Sequence, residues 1–284
     1  MSSQAVSTQT LSTQAISSQT MPIVPPGRYR LKHVAQSEVW KILTLRSTAI
    51  IFGVTVVATL LITGLVANSQ LHHDPGYYQG FDATQHALTG LIAAALTGGV
   101  FGALLITGEY ASGTMRTTLA AVPRRPVLMT AKIGVTAAFT FVFCQVLSFL
   151  AFFLGEAILS GGGAPSAGLG SPGALRAVVM TGVFIALLAL MSFAFGLIFR
   201  STAAAIAAFV GVVFVLPLVM HGISEAAVAY LPTNILVNSI MSTVPTPPGS
   251  PYPPVSAGVG LALMALYTAI PLAAGVVLFN KRDA

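Results

Sequence analysis

Six apolar runs constrain this chain more than any other feature. They cover about 47–67, 87–107, 133–159, 175–199, 202–220 and 256–279, and each is near the roughly 20 residues a helix needs to cross a bilayer. Backbone in lipid must satisfy its own hydrogen bonds, so runs of this length predict helices. Charged residues are 7% of the chain and hydrophobic ones 55%, whereas soluble domains carry about 25% charged residues. A surface so poor in charge cannot mostly face water. The expected fold is all-α: a polytopic membrane protein with six transmembrane helices and an N-terminal interfacial helix.

The 13 Lys and Arg residues orient the spans. Arg28, Arg30, Lys32, Lys41 and Arg46 precede the first span, and loop 68–86 has none. Loop 108–132 holds Arg116, Arg124, Arg125 and Lys132; the turn after the fourth span holds Arg200, and the tail holds Lys281 and Arg282. Arg176 alone falls on the opposite side. The positive-inside rule then predicts that both termini are cytoplasmic and that the protein is multi-pass in the plasma membrane. No continuous basic stripe is present, so the net charge of +6 does not imply nucleic-acid binding.

Three segments are expected. Residues 1–27 are a Ser/Thr/Gln-rich repeat and a Pro-rich linker, with too little apolar surface to fold. Residues 28–46 have Leu31, Val34, Ala35, Val39 and Ile42 at helical spacing, with Arg30, Lys32, Lys41 and Arg46 as basic flanks and Trp40 suited to the headgroup level. Residues 47–284 form the six-helix domain. Its long loop at 221–255 is expected to hold one or two short helices around Leu231-Pro232, followed by a Pro-rich stretch. In the second span Gly90, Ala94, Gly98 and Gly102 recur every four residues, which lets another backbone approach one face closely. The fifth span has Ala204, Ala207, Ala208 and Gly211. Packing within one subunit is the simpler use of both stripes; packing between subunits is the alternative.

Residues 108–132 are the densest polar stretch. Glu109 closes the second span, and Ser112 or Thr114 is expected to cap a short helix by accepting from its free N–H groups. Met115, Leu119 and Val122 form an apolar stripe on that helix; Pro123 ends it, and Pro126 opens the next. Such a helix suits either a groove on a partner or a bed of lipid headgroups. The stretch Glu109, Tyr110, Gly113, Thr114, Arg116, Leu119, Pro123 and Arg125, with Lys132 beyond, resembles the first cytoplasmic loop of type-2 permeases of ABC transporters. The leading helix, the six spans and the outer loop with Tyr230-Leu231-Pro232-Thr233-Asn234 match that architecture; the repeat tail does not.

The resemblance implies the membrane subunit of an ATP-driven exporter that dimerises and binds a separate ABC ATPase through Glu109–Arg125. The chain has no G-x-x-x-x-G-K-[ST] phosphate loop, so ATP and Mg belong to the partner and no cofactor is expected here. Membrane lipid is the other expected partner. The alternatives are a channel or secondary carrier, or a non-transporting scaffold. No charged residue lies at the middle of a span, where ion-coupled carriers usually keep one. His72, His73, Asp74 and His86 are spaced too irregularly to favour a metal site. Glu156 is expected to pair with Arg176, and the lone Cys144 rules out an intrachain disulfide.

Overall fold

The computed structural model describes residues 31–242, except Pro123, and 255–281. The expectations for the repeat tail, Arg28, Arg30, Pro123, the Pro-rich stretch and Arg282 lie outside the described residues. The regular structure of the described residues is helical. A first helix, α1 (Leu31–Thr44), is separated from α2 (Arg46–Ser69) by Leu45, whose extended backbone turns the chain. The remaining spans are Ala83–Ala111, Arg125–Gly161, Ala174–Phe199, Thr202–His221 and Ala257–Lys281. Thus six helices among the described residues are long and apolar enough to cross a membrane.

Two spans are interrupted. The second is α3 (Ala83–Leu88) and α4 (Leu91–Ala111), with Gly90 at the break. A short helix, α5 (Thr114–Ala121), then leads into α6 (Arg125–Gly161) and α7 (Ala174–Phe199). The fifth span is α8 (Thr202–Val210), a π-helical turn at Gly211–Val215, and α9 (Leu216–His221). Its wide turn exposes the Val213 carbonyl, which accepts from the Thr233 hydroxyl. The outer loop supplies α10 (Glu225–Val228) and α11 (Pro232–Ile240), and α12 (Ala257–Lys281) closes the bundle.

The first span, α2, is built inside out. On α2 the buried side chains are Thr48, Thr55, Thr59, Thr63 and Ala67, while Ile50, Val54, Val57, Leu61 and Leu65 are exposed. That is the pattern of a helix in lipid, where apolar exposure costs nothing and small or polar groups mediate helix contact. At the centre is α7, buried over 72% of its apolar stretch against 17% for α2 and α12. Ser148 donates to the Val178 carbonyl and Thr268 to the Leu187 carbonyl, tying α6 and α12 to α7. The stripe on α3–α4 packs within the chain. A Cβ at Gly90 would overlap Thr59 and Thr63, and one at Gly102 would overlap the Ala189 carbonyl. Gly98 faces Ile185 and Ala189, and Ala94 is fully covered. The fifth span differs: Ala207 is exposed and Gly211 has open space.

Candidate functional site

Four charged side chains converge where α1, α4 and α6 meet, beside α5. On α1 the side chains turned inward are Val34, Glu38 and Ile42, one turn apart. The expected apolar face is therefore shifted: Leu31 and Val39 are exposed, and an acidic residue occupies the middle of the buried stripe. Glu38 can lie there because Lys132 of α6 reaches it. Lys132 Nζ donates to Glu38 Oε2 at 2.8 Å and also to Glu109 Oε1 of α4. Lys41 Nζ donates to Glu38 Oε1 at 2.9 Å and to Glu109 Oε1 at 3.3 Å. Two ammonium and two carboxylate groups thus alternate and join three helices.

Burial dominates the electrostatics of this cluster without overturning it. It pushes the Glu38 carboxyl up, but the charges and hydrogen bonds of Lys132 and Lys41 outweigh it, leaving the group below 4.5. Burial likewise pulls the Lys41 ammonium down, and the hydrogen bonds and charges of Glu38 and Glu109 raise it above 10.5. Both groups are therefore held in their charged forms.

Next to this cluster, α5 begins at Gly113, whose left-handed φ of 71° sets the turn between α4 and α5. The expected side-chain cap is absent. The Ser112 backbone stays helical as the end of α4; its hydroxyl donates back to the Gly108 carbonyl and meets the Thr114 hydroxyl at 2.9 Å. Neither oxygen reaches an N–H of α5. Met115 is 1% exposed and packs on Ile106, Met129, Phe193 and Phe279. Leu119 and Val122 are half-buried and pack against Val34 and Leu128. The apolar stripe thus faces the bundle, Arg116 and Ala120 are exposed, and Thr117 borders the cavity described below.

The other residues of the motif serve the same junction. Arg200, itself in a left-handed conformation, lies over the Tyr110 ring at 5.1 Å. Arg125 donates to the carbonyls of Phe279 and Asn280, which fixes the end of α12 beside α6. Trp40 and Lys32 are exposed on α1, and Arg46 opens α2. Above the ion cluster is a cavity of about 680 Å³ between α1, α2, α4, α5 and α6. Sequence reasoning missed Glu38 as a partner and missed the cavity. An acidic residue four positions from both Val34 and Ile42 was the available signal.

At the opposite end the expected Glu156–Arg176 pair does not form. Arg176 donates to the Met241 and Ser242 carbonyls at 2.9 Å, and Glu156 accepts from the Ala167 N–H. The open carbonyls at the end of α11 are better placed for the guanidinium than the carboxylate is. Asp82 accepts from the Ser242 N–H at 2.7 Å, so the end of α11 is tied to the start of α3 as well as to α7. His73 stacks on Tyr77 and His86 on Phe81. Among the described residues no three His, Cys, Asp or Glu groups could hold a metal ion.

Six lipid-suited helices, with a leading helix pinned by a buried ion cluster and a short amphipathic helix packed beside it, are the architecture of a polytopic membrane protein of the permease class. The chain belongs to the ABC-2 family of transporter proteins, whose family profile matches residues 63–284. It is accordingly a membrane permease subunit, and the ATPase domain resides elsewhere. No curated protein matches the chain.

Proposed function

We propose that this permease is the membrane half of an ATP-driven exporter, with α5 as the contact for the ATPase. The end bearing α1, α5 and the end of α12 is read as cytoplasmic, in the plasma membrane, with the path at the interface of a dimer. One observation carries this reading. The α5 helix presents Arg116 and Ala120 outward while Met115 anchors it to four spans' worth of core, so a push on its outer face is transmitted to the bundle. Rocking between inward-open and outward-open states requires that the partner bind the two states differently, and a helix so anchored supplies that difference. The exposed aliphatic spans and the mixed cavity favour an amphiphilic cargo such as a drug, peptide or lipid-like molecule.

The test is co-purification with an ATPase and measurement of ATP hydrolysis in the presence of amphiphiles. Hydrolysis stimulated by cargo and dependent on Arg116 is the expected result. Transport without any ATPase would instead favour a secondary carrier, and binding without stimulation a scaffold.

A further inference from the structure

The 680 Å³ cavity has the size of a small-molecule site. Its lining is sorted by chemistry. Ile51, Phe101, Leu104 and Phe193 make an apolar wall toward the centre of the bundle. Ser112, Thr114 and Thr117 line the end beside the ion cluster. Of the charged groups at that end, the two carboxylates are nearly covered, with Glu38 at 9% and Glu109 at 13% exposure, while the Lys41 side chain is 39% exposed. An ammonium has three donors, and Lys41 spends two of them on Glu38 and Glu109. The charge left accessible to a visitor is therefore positive, although the cluster as a whole is neutral. Both carboxylates hold Lys41 in its charged form.

We propose that this cavity is a binding site for a single-chain anionic amphiphile, its acidic head on the Lys41 ammonium at the end lined by Ser112, Thr114 and Thr117, its apolar chain along Ile51, Phe101, Leu104 and Phe193. A charge-assisted hydrogen bond fixes the head, and the chain replaces contacts that the cavity wall lacks. The site lies inside one subunit, bounded by α1 and α5, so a bound chain touches both the leading helix and the proposed ATPase contact. The inference deepens the transport reading by naming a ligand class, but binding to the permease alone tests the site, whereas transport tests that reading.

The experiment uses the purified full chain in nanodiscs of neutral lipid, with binding read by native mass spectrometry and by the thermal midpoint. The probes are a monoacyl phosphate, the alkylamine of matched chain length, and the matched monoacylglycerol. The monoacyl phosphate is expected to bind saturably, one per chain, and at least about ten-fold more tightly than the other two, in line with one charge-assisted contact. Lys41→Gln is expected to remove that preference and Lys41→Arg to restore it. Leu104→Trp fills the apolar wall, leaves the ion cluster alone, and is expected to abolish saturable binding; it decides the matter if Lys41→Gln does not fold. Equal or tighter binding of the amine, or undiminished binding to Leu104→Trp, overturns the proposal. With the ATPase added, movement of the probe across a vesicle identifies the ligand as cargo, and tight binding without movement identifies a resident lipid; both outcomes uphold the site.

Discussion

Lys132 and Glu38 are 94 residues apart in the chain, and Lys132 Nζ lies 2.8 Å from the Glu38 carboxylate. The lysine is 3% exposed. An ion buried that deeply costs several kcal/mol in lost hydration unless its partners are well placed. Lys132 meets the requirement with Glu38 on one side and Glu109 on the other, and Lys41 closes the set. The leading helix is therefore held to the bundle by charge as well as by Val34 and Ile42.

Removing Lys132 leaves Glu109 and Glu38 buried with only Lys41 between them. Lys132→Ala should cost about 3 kcal/mol, the lower end for breaking a buried pair, because Lys41 remains. Hydrogen exchange in Leu31–Thr44 should accelerate in this variant. Unchanged exchange there would mean that Val34 and Ile42 hold α1 by themselves.

The same cluster sets a pH window for α1. Glu38 titrates below its ordinary value of 4.5, so its contribution is complete above pH 4.5 and is lost as pH falls through the lowered folded value. Lys41 titrates above 10.5, so its contribution is complete below that pH and is lost as pH rises through the raised value. Docking of α1 should be flat between those limits and loosen outside them. Trp40, the single tryptophan and a residue of α1, reports this by its emission. A transition near neutral pH would contradict the cluster as described.

Much of this architecture is legible in the sequence, because lipid imposes simple rules. The six runs became six long helices, and the Leu231-Pro232 break marks the start of α11. What stayed hidden depends on pairing across long separations. Glu38 reads locally as one acid in a basic helix, and only the fold brings Lys132 to it. Glu156 and Arg176 have complementary charges across a short loop, yet the guanidinium goes to the Met241 and Ser242 carbonyls. The cap of α5 failed for a backbone reason: Gly113 makes the turn, so Ser112 remains on α4. The direction of the α5 stripe was open as well, since amphipathic spacing does not say which neighbour covers it.

The small-residue stripe gives a sharp contrast on one helix. Gly102 lies against the Ala189 carbonyl, and the obstacle is backbone that no rotamer change can move. Gly102→Ala should force α4 and α7 apart and cost about 2 kcal/mol, within the usual range for overpacking. Gly108 has nothing within 4 Å of the same position. Gly108→Ala should be neutral or stabilising by up to about 1 kcal/mol through helix propensity. Thermal midpoints in one detergent compare the two directly, and equal shifts would remove the close α4–α7 approach.

The orientation of α5 separates folding from partner binding. Met115 is 1% exposed within a cluster that draws on α4, α6, α7 and α12. Met115→Asp places a charge there with no opposite charge among those apolar neighbours and should unfold the junction, at a cost above about 3 kcal/mol. Arg116, the next residue, is exposed. Arg116→Glu should leave the thermal midpoint within about 0.5 kcal/mol of wild type, as surface changes do, while reducing recovery of the ATPase on the permease at least ten-fold, roughly the loss of one charged contact. Leu119→Asp is the poorer test, because Leu119 packs inward and would disturb both properties together. An Arg116→Glu permease that kept its ATPase and its stimulated hydrolysis would place the contact elsewhere on the protein.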